Sequence, residues 1–244
     1  MTAAQPEIGS EPTSPALTQR HVQRDRMKAA QDVATALARE LRNPVFAIAS
    51  AAQLLRYRVT DDPVVEKNVG RILREADRLN TYVNALLEYG TPTPMRLAAG
   101  DPDDVWENVI TTHRGDLESK AILVEHRPAE PRGACNIDGE QLAHALSCAL
   151  ENAIEAAPEG SDIGIRSVVT DDGVWVSVIH NDGPPIDDEL LARAFEPLVT
   201  TKPGHAGIGL AITHRIVTEL GGTVALRADG DGAAMTFTLP ALHG

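Results

Sequence analysis

The sequence reads Phe195-Glu-Pro-Leu-Val-Thr-Thr-Lys202 and then, after Pro203, Gly204-His-Ala-Gly-Ile-Gly-Leu-Ala-Ile212. The first run passes from apolar residues to hydroxyl groups and a lysine, which suits a segment whose Lys202 reaches a phosphate. The second run places glycines where a helix begins, so that backbone N–H groups and the helix dipole face an anion. Glycine pairs also occur in ordinary turns, so neither run is sufficient alone.

Two earlier segments complete a candidate nucleotide site. Asn152 lies near the end of an amphipathic helical segment, Leu142–Ala157. Its amide oxygen suits Mg²⁺, which prefers oxygen ligands together with phosphates. The run Asn181-Asp-Gly-Pro-Pro-Ile186 ends a predicted strand, where a turn can bring backbone and a short polar side chain against a flat ligand such as adenine. Taken singly, each segment is equally compatible with a polar helix end or a strand-ending turn.

The residues around these segments alternate between helical and strand patterns. Helices are predicted at 103–118, 139–157, 187–194 and 208–220, and strands at 122–126, 162–169, 173–180, 223–228 and 233–239. This order predicts an α/β sandwich over residues 101–242, in which helices cover one face of a mixed sheet. Gly90-Thr-Pro-Thr-Pro94 is typical of a linker, which we place at residues 91–100.

The first part of the chain is predicted to be a helical hairpin over residues 21–90, after a disordered tail at 1–20 that is rich in Pro, Ser and Thr. The turn and the second helix start are predicted at Thr60-Asp-Asp-Pro63. The second helix carries an apolar heptad seam: Val65, Val69, Ile72, Ala76, Leu79, Val83 and Leu86. A partner seam is predicted in the first helix: Leu37, Leu41, Pro44, Ile48, Ala51 and Leu55.

A two-helix hairpin of this length leaves its apolar stripe half exposed in a single chain. Burying that stripe against a second copy gives a four-helix bundle, so we expect a homodimer through the hairpin. The alternative is that the hairpin packs on the rest of the same chain.

Together, the four segments of the second part resemble the N box, first glycine box, F box and second glycine box of bacterial two-component sensor histidine kinases. Ala38-Arg-Glu-Leu-Arg-Asn-Pro44 resembles the family's H box, so the resemblance covers roughly residues 25–242. It implies an α+β fold: a dimerising antiparallel helical hairpin followed by an α/β-sandwich ATPase domain. It also implies transfer of the γ-phosphoryl group of ATP to a hairpin histidine, and then to an aspartate of a response regulator.

The same resemblance assigns the nucleotide site, which would hold ATP or ADP with Mg²⁺. Asn152 would bind the metal, and Asn181 and Gly183 would contact adenine. The residues implied at the phosphates and beside them are Lys202, Gly207, Gly209 and Leu210.

This chain departs from the family pattern at three positions of that site. Asn181 stands where the family has an aspartate that accepts from the adenine amino group; an amide oxygen still accepts, without charge. Pro185 replaces a glycine and stiffens its loop. Cys148 replaces the first asparagine of the N box and removes a polar group near the phosphates. We expect nucleotide binding to persist.

The phosphoacceptor histidine of the H box is replaced by Arg39. A guanidinium group stays protonated at physiological pH and has no nitrogen lone pair with which to attack phosphorus. The resemblance therefore implies that autophosphorylation at this position is lost. His21 precedes the seam, and the other seven histidines belong to the second domain, where no acceptor is expected.

Glu40 and Asn43 of the H box are present. In the family, the acidic residue assists phosphoryl transfer, and the residue three positions further helps to orient water for dephosphorylation of the regulator. Asn43 lies one helical turn after Arg39, on the same face. Both are also compatible with solvated surface residues without a catalytic role.

Three functions remain open at this point. The chain is a regulator phosphatase or a non-phosphorylatable partner of another histidine kinase; it is a non-enzymatic scaffold whose conformation responds to nucleotide; or Arg39 is an engineered change in an active kinase. Anti-sigma-factor kinases share the ATPase sandwich but lack an H-box hairpin, so we disfavour that class.

Composition and charge limit the classes of partner that the chain is expected to bind. The chain has 244 residues, 43% of them hydrophobic, and a formal net charge of −13, which argues against binding nucleic acid. No apolar run approaches the roughly 20 residues that span a bilayer. Cys135 and Cys148 are too few for a disulfide framework or a metal site. We expect a cytoplasmic protein.

Overall fold

The computed structural model describes residues 15–59, 62–91, 93–202 and 205–242, with side chains from residue 32 onward except that of Glu88. The chain forms two compact units, Met1–Thr91 and Pro92–Gly244. The helical hairpin and the sheet-containing domain expected from the sequence are both present. None of the described helices is long and apolar enough to cross a membrane.

The first unit consists of α1, Pro15–Arg58, and α2, Pro63–Gly90. Residues 15–20, which were predicted to belong to the disordered tail, are therefore helical. Residues 1–14 of the predicted tail lie outside the described residues. Helix α2 begins at the predicted proline, and the Asp62 carboxylate accepts from the N–H groups of Val64 and Val65 at 2.9 and 3.2 Å. Such a cap satisfies N–H groups that have no partner within the helix.

The face of α1 that α2 covers differs from the predicted seam. Ala34, Ala38, Val45 and Ala52 are buried there, whereas Leu37, Leu41, Ile48 and Leu55 remain exposed, Leu37 by 47%. The predicted seam of α1 is thus wrong as the contact within one chain. Small side chains let the two helices approach closely, which leaves the large apolar ones on a neighbouring face.

Helix α2 follows its predicted seam only in part. Val69, Ala76, Val83 and Leu86 are buried, but Ile72 and Leu79 are 40% and 43% exposed. The hairpin therefore carries an uncovered row of apolar side chains on both helices, which we call the outer stripe: Leu37, Leu41, Ile48, Leu55, Ile72 and Leu79.

The second unit alternates helices and strands. Its elements are β1 Ala98–Gly100, α3 Pro102–Thr112, α4 Arg114–Ser119, β2 Leu123–Arg127, β3 Cys135–Ile137, α5 Gly139–Ala156, β4 Asp162–Val169, β5 Val174–Asp182, α6 Asp188–Arg193, α7 Gly209–Glu219, β6 Thr223–Asp229 and β7 Gly232–Pro240. The helix predicted at 103–118 is two helices separated at His113. The predicted linker at 91–100 ends in β1, a strand that the sequence analysis missed together with its partner β3.

The main sheet has the strand order β2-β4-β5-β7-β6. Strands β2 and β4 are parallel and all other neighbours are antiparallel, so the sheet is mixed, as predicted. Strands β1 and β3 form a separate antiparallel pair in which Ala98 lies opposite Ile137.

Alternation along the strands buries one face of the sheet. In β5, Trp175, Ser177, Ile179 and Asn181 are buried, and the residues between them are only partly covered. Helix α5 supplies the opposing core from Leu142, Leu146 and Leu150, which are fully buried. Period-two burial in the strands against a helical stripe is the arrangement expected of a two-layer sandwich.

A polar network lies inside this core, around Asp103 of α3. The Asp103 carboxylate is fully buried and accepts from Trp175 Nε1 and from the backbone N–H of Ala129, both at 3.1 Å. His126 Nε2 lies 3.5 Å from its other oxygen. Burial by itself raises the pKa of Asp103, but the donors around the carboxylate outweigh burial and lower that pKa below its usual value.

We expect the substitution Asp103→Asn to destabilise the second unit by about 2 kcal/mol, because a buried carboxylate that accepts several hydrogen bonds is lost. Urea unfolding followed by tryptophan fluorescence measures this directly, since the chain's two tryptophans, Trp106 and Trp175, both lie in this unit. The difference in the free energy of unfolding between the variant and the unmodified chain should decrease below pH about 3.9, where aspartate in the unfolded chain protonates. It should continue to decrease as the pH falls through the lower pKa of Asp103 in the folded state.

The neighbouring substitution Asp104→Asn is the control, because Asp104 is exposed and pairs only with Arg132, at 3.1 Å. We expect it to change stability by less than about 0.5 kcal/mol. Equal effects of the two substitutions would contradict a structural role for the buried carboxylate.

Candidate nucleotide-binding site

Helix α5 carries the predicted metal ligand near its carboxyl end. Its start is set by Asp138, whose carboxylate accepts from the N–H groups of Glu140 and Gln141 at 3.1 Å. The hydrogen bond from the Arg96 N–H, at 2.7 Å, contributes most to lowering the pKa of Asp138, which keeps this cap ionised. The helix is 18 residues long, and Asn152 lies about one turn before its end.

Asn152 and Lys202 are brought together, although 50 positions separate them in the sequence. Lys202 Nζ donates to Asn152 Oδ1 at 2.8 Å and to Glu155 Oε2 at 2.6 Å. Glu155, which the sequence analysis did not single out, also has its second oxygen 3.5 Å from His205 Nδ1. The only signal for it in the sequence is its position three residues after Asn152, on the same helical face.

The predicted adenine residues lie where β5 ends against the carboxyl end of α5. Asn181 is 6% exposed, and its amide nitrogen donates to the carbonyl of Asp182 at 2.8 Å. Its amide oxygen can still accept from a ligand amino group. A Cβ on Gly183 would lie 2.9 Å from the Ala156 carbonyl oxygen, so only glycine fits there without a shift of backbone.

Gly207 closes the segment that contains the F-box residues. The Leu198 N–H donates to the Gly207 carbonyl at 2.9 Å, and Leu198 and Gly207 both have positive φ, 68° and 63°. A Cβ on Gly207 would lie 2.6 Å from the Val199 carbonyl oxygen. Glycine is therefore required at 207 both by conformation and by space. Gly204, predicted in the same glycine box, lies outside the described residues.

Helix α7 begins at Gly209 with no side-chain cap on its first N–H groups. Uncapped N–H groups at a helix start are suited to an anion. A Cβ on Gly209 would lie 3.7 Å from Cys148 Sγ, so the departure at 148 faces this helix start. Leu210 is half-buried in the first turn of α7. Thr213 anchors the helix by donating to the Ala145 carbonyl of α5 at 3.1 Å.

Two further residues support the site. Lys120 Nζ donates to the carbonyl oxygens of Ile154, Glu155 and Ala157 at the end of α5. The His214 ring lies 5.5 Å from the Phe195 ring, and burial lowers the pKa of His214. The histidine therefore packs as a neutral ring at neutral pH.

The donor set at the end of α5 fits a magnesium nucleotide. The Lys202 ammonium group is a cation held between an amide oxygen and a carboxylate oxygen, which are the ligand types that Mg²⁺ prefers. The described residues contain no group of three or more His, Cys, Asp and Glu side chains that could hold a metal alone. Phosphate oxygens would have to complete the coordination of the ion.

The H-box residues lie in the first unit, on α1. Arg39, Glu40 and Asn43 are all exposed, whereas Ala38 beside them is fully buried against α2. Arg42 donates to Asn84 of α2 at 3.3 Å.

Two protein families match this chain. Residues 29–93 match the His Kinase A (phospho-acceptor) domain, and residues 137–243 match the histidine kinase-, DNA gyrase B-, and HSP90-like ATPase. The chain belongs to the sensor histidine kinase family. The two matched regions contain the H box on α1 and all four nucleotide-site segments.

Curated relatives and solved structures are histidine kinases as well. The sensor histidine kinase ZraS of Escherichia coli (strain K12) is 30% identical over 88% of this chain and 46% of its own length. The sensory histidine kinase/phosphatase NtrB of Rhizobium meliloti (strain 1021) is 27% identical over 87% of this chain and 59% of its own length. This chain therefore spans about half the length of the relatives that it matches.

The fold is shared with histidine kinase ThkA in its crystal structure in complex with the response regulator protein TrrA. That structure aligns with a TM-score of 0.67 at 23% identity, over 96% of this chain and 68% of the matched chain. At this identity the likeness concerns the fold alone.

We expect the substitution Gly207→Ala to weaken ATP binding more than tenfold, because the added Cβ meets the Val199 carbonyl and the residue must hold a positive φ. Gly115→Ala is the control, since a Cβ at that position meets nothing within 4 Å. Titration calorimetry with ATP and Mg²⁺ measures both. Unchanged affinity in Gly207→Ala would contradict a role for this turn in nucleotide binding.

Proposed function

We propose that this chain is the transmitter part of a two-component system that binds Mg²⁺–ATP, engages the receiver domain of a response regulator, and has lost autophosphorylation at its H box. The observation that carries the proposal is Arg39 at the phosphoacceptor position, beside Glu40 and Asn43 and together with four nucleotide-site segments that resemble the family boxes. Phosphatase action on the regulator is the activity that this combination favours.

The nucleotide part of the proposal assigns a role to each predicted residue. Asn152 holds Mg²⁺, Asn181 and Gly183 contact adenine, and Lys202 contacts the phosphates. Gly207, Gly209 and Leu210 shape the turn and helix start on which the phosphates lie. Mg²⁺ neutralises phosphate charge when bound, and the residues themselves position and orient the nucleotide.

The loss of autophosphorylation follows from the chemistry of Arg39. A phosphoacceptor needs a neutral imidazole nitrogen, and guanidinium offers only donors. Its exposed position means that the arginine perturbs no buried packing, so the hairpin keeps its shape while the acceptor is absent.

The phosphatase proposal depends on Asn43 and Glu40, which are exposed on α1 and therefore accessible to a docked partner. An amide side chain can orient water for in-line attack on an acyl phosphate without any covalent step of its own. The relative NtrB is named both a kinase and a phosphatase, and ThkA binds a response regulator, which supports a receiver domain as the partner.

The outer stripe of the hairpin favours a dimer. Six large apolar side chains on two helices are more than a solvated hairpin needs, and a second copy would bury them as a four-helix bundle. A homodimer is the simplest arrangement. A heterodimer with another histidine kinase would bury the same residues and would place a phosphorylatable histidine beside a chain that has none at its H box.

A non-enzymatic scaffold is the second candidate, and the same Arg39 favours it. In that case the hairpin binds a regulator or kinase, while nucleotide only changes its conformation.

We expect Mg²⁺ and γ-labelled ATP to leave the unmodified protein unlabelled and to label an Arg39→His variant, because the variant restores an imidazole nucleophile. Autoradiography after denaturing electrophoresis checks both. Label on the unmodified protein would overturn the proposal through an acceptor other than residue 39, and label on neither would favour the scaffold.

We expect the unmodified protein to shorten the lifetime of a receiver domain phosphorylated with acetyl phosphate, and Asn43→Ala to reduce this acceleration at least tenfold. Phosphate release gives the rate. Asn68→Ala is the matched control, because Asn68 is an exposed asparagine of α2 that only donates to the Val64 carbonyl. If Asn43→Ala still accelerated the reaction fully, the water-orienting role would be wrong.

A further inference from the structure

Glu155 lies in the segment that resembles the N box, but none of the residue roles proposed above is assigned to it. It lies three positions after Asn152 on α5, and its carboxylate shares one ammonium group with the Asn152 amide oxygen, at 2.6 and 2.8 Å. We infer that Glu155 makes tight nucleotide binding conditional on a divalent cation. The inference rests on the proposed nucleotide-binding function.

The backbone of Glu155 is held in place. The backbone carbonyl of Glu155 accepts from Lys120 Nζ at 3.2 Å, so the residue is anchored at the helix end. Its side chain is 38% exposed and that of Lys202 is 32% exposed. Water therefore reaches the pair.

A carboxylate at this place opposes a bare polyphosphate. The two negative groups would share the few ångströms around Asn152 and repel each other, and a Lys202 ammonium group that turned toward a phosphate would lose its ion pair with Glu155. Without a divalent cation, nucleotide binding therefore carries both the repulsion and the loss of the Lys202–Glu155 ion pair.

A divalent cation removes both costs. Mg²⁺ is commonly held by one or two protein oxygen ligands together with phosphates, and Asn152 and Glu155 offer an amide and a carboxylate oxygen on one helical face. When the cation takes the place of the Lys202 ammonium group beside these oxygens, Lys202 is released to contact a phosphate. Cation and nucleotide then each increase the affinity for the other by the same factor.

The test is the ratio of ATP dissociation constants in excess EDTA and in excess MgCl₂, measured by titration calorimetry on the full chain. We expect Glu155→Gln to lower this ratio about tenfold, mainly because ATP binds more tightly in EDTA once the repelling charge is gone. Glu155→Asp, which keeps the charge, should keep most of the ratio.

Glu151→Gln is the matched control. It removes the same charge from the same helix next to Asn152, but Glu151 lies toward His113, with its Oε1 3.7 Å from His113 Nε2. We expect its ratio to stay within about twofold of that of the unmodified chain.

An unchanged ratio in Glu155→Gln would overturn the inference while leaving nucleotide binding intact. Equal decreases in Glu155→Gln and Glu151→Gln would also overturn it, because they would reflect the general charge of the surface. If the unmodified chain bound no ATP in either buffer, the proposed nucleotide-binding function would fail, and the inference with it.

Discussion

The carboxyl end of α5 is held by a single ammonium group, and the nucleotide site is arranged around that end. Lys120 Nζ donates to the carbonyl oxygens of Ile154, Glu155 and Ala157 at 2.7, 3.2 and 3.4 Å. Ile154 and Glu155 belong to the last helical turn, whose carbonyl groups have no partner within the helix, and Ala157 directly follows the helix. The remaining carbonyl of that turn, at Ala156, lies against Gly183, where a side chain would collide. Asn152 and Gly183, the residues proposed to contact Mg²⁺ and adenine, therefore both lie at this helix end.

The hairpin is organised differently, because its smaller and larger apolar residues lie mostly on two different faces. Alanines and valines, together with Leu86 and Tyr89, are buried in the hairpin, and leucines and isoleucines form the outer stripe. Arg39 belongs to neither group, since it is exposed between them. For this reason an arginine at the proposed phosphoacceptor position is compatible with the packing of the hairpin.

The regular elements of the second unit could be predicted closely, because strands with period-two burial and capped helices have local signals. Strand β4 was predicted to its exact bounds, and α5 to within one residue. Strands β1 and β3 were missed because each has three residues and depends on the other for its hydrogen bonds. The predicted contact face of α1 was wrong. Apolar patterns with periods of 3.5 and 3.6 residues diverge by only a fraction of a turn, so the pattern does not separate neighbouring faces of the helix. The choice between those faces depends on how closely α2 can approach.

The sequence by itself determined the family, indicated the segments proposed for the nucleotide site, and showed an arginine at the position that resembles the H-box histidine. Each of these is a property of residue types at fixed short spacings, which a linear pattern records completely. Only the tertiary structure decided that Lys202 lies between Asn152 and Glu155, that Asp103 forms a buried network with Trp175, and that the alanine face of α1 is the one covered. Those contacts join residues dozens of positions apart, so they depend on the packing of helices on a sheet and of one helix on another, and no local spacing encodes them.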